Sequence, residues 1–507
     1  MASSGLSGMR KCVRNLTPYL VFMMSIITLG PLLFGFHLAE LNAPEDYITC
    51  KKGRTTGMPK GATLIPCIPM DKAQFAFVSS IFTIGGLFGA LLAGPVSTSF
   101  GRLPAMRISA IFYVLGSAIT MWSASISAFA TGRFLLGIGA GASVVVVPIY
   151  ISEVAPPTDR GIFGFLTQIA TNMGILITQI LGYYLSYSIL WRFILAAGGL
   201  IGLVLLFGLF LVPESPAWTA ANRSPGRALA TLKRLRGPHA DVSEEIQTWD
   251  CTFSPSDPQL SESTTVLLEP ESQSRRSSIS TSSKPPPRAH VGIIAVALSP
   301  IYRPAIIAVV GVMCVQQFTG INSVMMYSVS VLTDLFPTSA TLLTILISIV
   351  NLIATTASAP LPDILGRKSP LLISITGLGF SSAALGASIL FSLPALSAAS
   401  ILLFVAFFAT GLGPIPFMMA SELVSTEAKG AAQSWALATN WIGTYLVAQF
   451  FPILNDGVNE ALGGAGWLYF GFAAVAAVGV LFVSRFVPET KGKRDADEVW
   501  GRVRRVD

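Results

Sequence analysis

Twelve apolar, charge-poor blocks recur along the chain, at approximately 16–38, 74–98, 105–124, 127–151, 162–185, 190–212, 301–333, 338–361, 369–392, 397–424, 430–452 and 465–487. Each is close to or above the roughly 20 residues that a helix needs to cross about 30 Å of hydrocarbon. The first follows Arg10, Lys11 and Arg14 as a signal peptide would. It is longer than an h-region of about 7–15 residues and lacks a small-residue cleavage site, so it reads as a span.

Lys and Arg orient the spans. Arg102, Arg107, Arg160, Arg227 to Arg236, Arg367, Lys368, Lys429 and the tail from Lys491 to Arg505 fall in alternate loops, which are therefore predicted to face the cytoplasm with both termini. The first outer loop, with Lys51, Lys52, Arg54, Lys60 and Lys72, is the exception. The expected division is a cytoplasmic start (1–15), a six-helix half (16–212), a cytoplasmic connection (213–300), a second six-helix half (301–487) and a cytoplasmic tail (488–507). Within the connection, 254–288 is rich in Ser, Pro, Thr and Gln and is expected to be disordered. Arg275-Arg276-Ser277-Ser278 there resembles a site for a basic-directed kinase; the alternative is a plain solvated linker.

Composition agrees. Of 507 residues, 52% are hydrophobic and 12% charged, against roughly 25% charged in a soluble domain. The net charge of +7 sits in the loops, so it suggests the inner membrane surface rather than nucleic acid. The five cysteines are odd in number and scattered; Cys50 and Cys67 share one outer loop, where a bridge is possible but unproved by spacing. No metal-ligand spacing, catalytic triad or phosphate loop appears, so neither an enzyme nor a cofactor is expected.

The halves repeat one another. Gly101-Arg102 matches Gly366-Arg367, Ser152-Glu153 with Arg160-Gly161 matches Ser421-Glu422 with Lys429-Gly430, and Pro213-Glu214-Ser215 matches Pro488-Glu489-Thr490. A parallel six-span repeat places a pseudo-two-fold axis along the membrane normal and a substrate at midplane between the halves. Glu153, Glu214, Glu422 and Glu489, facing Arg102, Arg160, Arg367 and Lys429, are expected to form inner-gate charges that tie the halves together when the inside closes. Anchoring helix ends in headgroups is the alternative.

These motifs, with Gly132-Arg133-Phe134, Pro148 to Glu153, Gln316-Gln317-Phe318-Thr319-Gly320-Ile321-Asn322, Asp363 before Gly366-Arg367-Lys368, Gly413-Pro414-Ile415-Pro416 and Pro488 to Gly492, resemble the sugar porter branch of the major facilitator superfamily. The resemblance covers nearly the whole chain. It implies an all-α fold of twelve transmembrane helices in two pseudo-symmetric halves, and it assigns Gln168, Gln316, Gln317, Asn322, Asn351 and Asn440 to sugar hydroxyls. Phe408, Phe417 and Trp441 match aromatic wall positions. The chemistry agrees independently, because amides both donate and accept, as hydroxyls do, and polar groups in spans usually face a cavity. Glue between helices is the competing role for each amide. Tyr327 is either part of an outer gate or a packed core tyrosine.

Departures from the family pattern sharpen the reading. Thr98, Ser99, Leu103 and Ala217 replace charged residues, thinning the inner network; Ala409 replaces a glutamate and Thr444 an asparagine. At His37, proton-coupled relatives carry aspartate and facilitators asparagine. His37 with Arg133 is thus a possible coupling pair, and a neutral His37 would behave as the asparagine does. Glu40, one turn on, is expected to lie too near the outer surface to serve as the coupling acid. The expected function is facilitated diffusion of a neutral monosaccharide, a hexose above all, by a monomer in the lipid bilayer. The alternatives are a proton-coupled sugar or polyol symporter and, in another class, a non-transporting sugar sensor. The expected membrane is the plasma membrane, with a vacuolar or other endomembrane as alternative.

Overall fold

The computed structural model describes residues 17–52, 65–156, 160–237, 242–247, 293–333, 340–425, 427–493 and 496–502. The 254–288 insertion with Ser277 and Ser278 lies outside them. The first half comprises α1 (Pro18–Ile27) and α2 (Leu29–Ala39), which share one span, a short outer helix α3 (Glu45–Ile48), then α4 (Lys72–Phe100), α5 (Arg102–Trp122), α6 (Ile126–Val154), α7 (Arg160–Leu185) and α8 (Trp191–Gly208). Three helices follow in the connection expected to face the cytoplasm: α9 (Pro216–Asn222), α10 (Pro225–Arg236) and α11 (Ser243–Gln247). The second half comprises α12 (Ile293–Leu298), α13 (Arg303–Phe318), α14 (Ile321–Thr333), α15 (Ala340–Ser358), α16 (Leu361–Leu365), α17 (Lys368–Leu390), α18 (Pro394–Thr410), α19 (Ile415–Glu422), α20 (Lys429–Leu462) and α21 (Trp467–Phe486), with α22 (Ala496–Val499) in the tail.

Among the described residues, eleven helices or helix pairs are long and apolar enough to cross a membrane. The twelfth span, α20, is 34 residues long but less apolar, because it carries Gln433, Asn440, Thr444 and Gln449 toward the interior. Its polarity belongs to the site described below.

Helix ends follow local chemistry. Asp71 and Gln74 form a reciprocal capping box on α4, while Ser125 caps α6 and Thr17 caps α1. Inside the first half, α4 and α6 touch backbone to backbone: a Cβ on Gly85 or Gly89 would collide with the carbonyl of Phe134 or Ile138, and one on Gly137 or Gly141 with that of Phe82 or Gly86. Small residues four apart allow this approach, which suits helices that gain little from mutual hydrophobicity in lipid.

The cytoplasmic repeat has a shared construction. Arg102 meets Glu153 with its Nη2 2.7 Å from Oε1, and Glu214 accepts the backbone N–H groups of Arg102 and Leu103 at 3.0 and 3.1 Å. In the second half Arg367 meets Glu422 at 2.9 Å, and Glu489 accepts from the N–H groups of Arg367 and Lys368 at 2.8 and 3.0 Å. A carboxylate thus caps the exposed N–H groups that open α5 and α17, where the helix dipole favours negative charge. A network between the halves was expected; in this conformation each of these contacts lies within one half. Lys429 is exposed and, among the described residues, carries no ion pair. Arg160 begins α7, and its side chain lies outside the described set.

On the outer side Cys50 and Cys67 are joined as a disulfide, with Cα atoms 5.3 Å apart. Pro66 and Ile65 accept from Trp191 and Arg192 at the start of α8, fastening the end of the first outer loop.

Candidate functional site

The seventh span breaks between α13 and α14 at Gly320, whose φ is +91°, and the tenth breaks between α18 and α19 around Gly411 to Pro414. Broken helices expose backbone groups that are tolerated at membrane depth only against protein or a cavity. Gln316 answers the second break, donating from Nε2 to the carbonyls of Leu412 at 2.6 Å and Gly413 at 3.2 Å. Its Oε1 accepts from Asn440 at 2.8 Å and from Gln317 at 3.2 Å. Gln317 Oε1 accepts from Asn322 at 2.5 Å and from Thr444 at 2.9 Å. Gln316, Gln317, Asn322, Asn440 and Thr444 therefore form one connected, neutral, hydrogen-bonded cluster, all within the second half. Thr444, read from the sequence only as a departure, is one of its members.

The aromatic residues flank this cluster. Phe408 and Phe417 are partly buried on the two sides of the break in the tenth span. Trp441 follows Asn440 and crosses to the first half, where it meets Phe34 at 5.7 Å and Phe82 at 6.4 Å between ring centroids. A Cβ on Gly86 would strike the Trp441 ring, so the missing side chain forms its seat. The buried Trp441 Nε1 has no partner among the described residues.

The other two amides sit apart. Gln168 is partly exposed and donates to Asn172 at 3.4 Å. Asn172 in turn donates across the halves to Asn351 at 3.3 Å and to Thr355 at 2.8 Å. Asn351 is therefore engaged as interhelical glue in this conformation, the competing role for such amides. Asn172 carries the same signal as Gln168, an amide within an apolar span, and is missed by the sequence reading, whereas Thr355 is one of many hydroxyls in the spans and carries no distinguishing signal.

Further bonds between the halves lie on the outer side. Asn42 donates to Ser328 at 2.9 Å, Ser80 to Gln449 at 2.7 Å, and Thr344 to Gln179 at 3.4 Å, while Lys72 pairs with Asp456 at 2.5 Å. Among the described residues, no hydrogen bond or ion pair joins the halves cytoplasmic to Asn172 and Thr355. The molecule is closed outside. Tyr327 belongs to that closed region, donating to the Ala448 carbonyl at 2.7 Å and stacking on Phe451.

A second polar site lies in the first half. Glu40 is fully buried, with Oε1 2.7 Å from Arg133 Nη1 and Oε2 2.8 Å from His37 Nδ1. Arg133 also donates to the His37 carbonyl at 2.7 Å and lies 4.6 Å over the Phe82 ring. His37 stacks near Tyr113, and its Nε2 has no partner among the described residues. Glu40 directly follows the last residue of α2, at the outer end of the first span as the sequence suggests, but it is buried there rather than exposed. Residues 37 and 40 are one helical turn apart and share a face; the inward turn of that face was not evident from an apolar stretch without periodicity. Phe82 touches both Arg133 and Trp441, linking the two sites through one ring.

A family profile described as "Sugar (and other) transporter" matches residues 23–498. A probable metabolite transport protein of Saccharomyces cerevisiae is 31% identical, over 97% of each chain. The facilitated glucose transporter member 3 of solute carrier family 2 from Rattus norvegicus is 30% identical, over 95% of this chain and 92% of its own length. Among solved structures, the xylose transporter of E. coli in a partially occluded inward open conformation superposes with a TM-score of 0.71 at 23% identity, covering 94% of this chain and all of that one. The fold is that of a twelve-helix major facilitator.

Proposed function

The chain belongs to the sugar porter family of the major facilitator superfamily, a family of multi-pass membrane carriers and not of enzymes, and from that premise we propose that it moves a neutral hexose by alternating access and facilitated diffusion. The observation that carries this reading is the neutral amide cluster of Gln316, Gln317, Asn322 and Asn440 beside Phe408, Phe417 and Trp441. Amides match hydroxyls as both donors and acceptors, flat rings cover the apolar face of a pyranose, and no fixed charge selects an ion. The unpartnered Trp441 Nε1–H adds a donor for the solute. The rat relative's name supports a hexose.

A cycle runs when the outer contacts release and the cytoplasmic ends of the halves approach. The outer contacts are few, and the Lys72–Asp456 pair among them is open to water and costs little to release.

A second reading is favoured by one observation. Glu40 supplies the buried carboxylate that position 37 lacks, held directly by Arg133. An ionisable pair within the membrane fits a proton-coupled cycle, in which Glu40 takes the proton and releases Arg133.

The test is uptake of labelled glucose, fructose, xylose and a polyol by a host lacking hexose carriers, at two outer pH values, with and without a protonophore. Saturable uptake that never exceeds the outside concentration, and that Gln317→Ala abolishes, supports the facilitator. Accumulation that collapses with the protonophore and with Glu40→Gln supports the symporter instead. No uptake of any of these solutes by a correctly located protein overturns both.

A further inference from the structure

Between the halves, on the outer side, lies a cavity of about 100 Å³. Glu45 from α3 and Lys72 from α4 line it on one side, and Tyr327, Ser330 and Asp456 line it on the other. It is outward of the amide cluster and separate from the buried site at Glu40. Glu45 is only 8% exposed; its Oε1 accepts from Lys51 at 3.0 Å, while Oε2 has no partner among the described residues. A carboxylate oxygen buried without a donor is costly, whereas the protonated carboxyl is cheaper to bury and brings a donor of its own.

We propose that Glu45 is a proton-binding site of the outer gate, whose occupancy favours the conformation in which the halves are closed on the outside.

The two walls of the cavity belong to different halves. Opening the outer side carries Glu45 and Lys72 away from Tyr327 and Asp456 and admits water to the carboxyl. The charged and titratable groups around it are Lys51 and Asp46 on its own loop, Lys72 on α4, Tyr327 on α14 and Asp456 on α20. Burial raises the Glu45 carboxyl above its usual range; Lys51 and Lys72 oppose this and Asp46 adds to it, leaving it raised. In the open state the burial contribution falls away. The closed state thus has the higher affinity for the proton, and by linkage acid outside shifts the population toward it. The effect is fully developed once the pH is below the lower, open-state value, and is lost as the pH rises through the closed-state value. No proton crosses the membrane, so the device operates in a facilitator as well as in a symporter.

The experiment uses the full chain in cells with a cysteine replacing Ser328, which is 3% exposed and bonded across the halves to Asn42. An impermeant thiol reagent reaches it when the outer side opens. Its labelling is normalised to a cysteine replacing Leu462, exposed at the outer end of α20, which cancels the pH dependence of the reagent. Normalised labelling is expected to fall by roughly half between outer pH 7.5 and 5, as the closed conformer with the higher proton affinity gains population. Glu45→Gln is expected to give the low, acid value at both pH values. Glu45→Asp, which keeps a carboxyl, should retain the dependence. A native chain whose labelling ignores pH overturns the proposal, and so does Glu45→Gln with the native dependence or with the high value. This readout requires no transported sugar, so it fails or succeeds independently of the substrate assignment.

Discussion

Glu489 occupies the space that a side chain on Gly366 would need: a Cβ there would lie 2.5 Å from Oε2, and the glycine's φ is +88°. The twin in the first half is the same, with a Cβ on Gly101 2.5 Å from Glu214 Oε2 at φ +111°. Gly366→Ala is therefore expected to displace the cap of α17 and add backbone strain, lowering stability by about 1–3 kcal/mol. Thermal unfolding of the purified chain in detergent measures it. An unchanged unfolding temperature would show that the carboxylate relocates without loss.

The Glu489 cap also sets a pH response. Burial raises its carboxyl, but four backbone N–H groups, of Arg367, Lys491, Lys368 and Thr490, outweigh burial and leave it below its ordinary value of 4.5. A depressed carboxylate contributes stability above its unfolded value, and that contribution is lost as the pH falls through the folded one. The difference in unfolding temperature between the native chain and Glu489→Gln should be constant from pH 8 to about pH 5 and shrink below about pH 4.5. A difference that grows on acidification would contradict the assignment.

Glu40 and Arg133 are both fully buried, so removing one leaves the other charge without its partner. Glu40→Gln or Arg133→Gln alone should destabilise the chain by about 3–5 kcal/mol, and the double substitution by less than the sum. Additive losses in a double-mutant cycle would show that the pair is not energetically coupled.

Lys72 and Asp456 bridge the halves at the outer rim with half or more of each side chain open to water. Lys72→Ala should therefore cost at most about 1 kcal/mol and leave transport nearly intact. Cysteines at both positions, joined by a short bifunctional thiol reagent that is itself cleavable, should instead arrest uptake until the link is cleaved. Uptake that continues through the cross-link would mean that the outer side does not open there.

Part of this was legible along the chain. The spans are readable because water is absent from the hydrocarbon and each must satisfy its own backbone, which forces about 20 apolar residues per crossing. The repeat is readable because glycine, arginine and glutamate at helix ends are set by local geometry: positive φ at Gly101 and Gly366, and a carboxylate on the free N–H groups beside them. The Gln316–Gln317–Asn322 cluster is readable because amides in an apolar stretch must find partners.

The sequence by itself therefore determined the span count, the duplication, the family and the polar character of the second half's interior. Tertiary structure alone decided which partners those groups take. It bound Asn351 to Asn172 across the halves, brought Thr444 into the amide cluster, kept the cytoplasmic ion pairs within each half, and turned Glu40 inward onto Arg133 and His37. The reason is physical. A hydrophobic run in lipid marks depth but not rotation about the helix axis, and a pairing between residues 93 positions apart, such as Glu40 with Arg133, depends on that rotation in two helices at once.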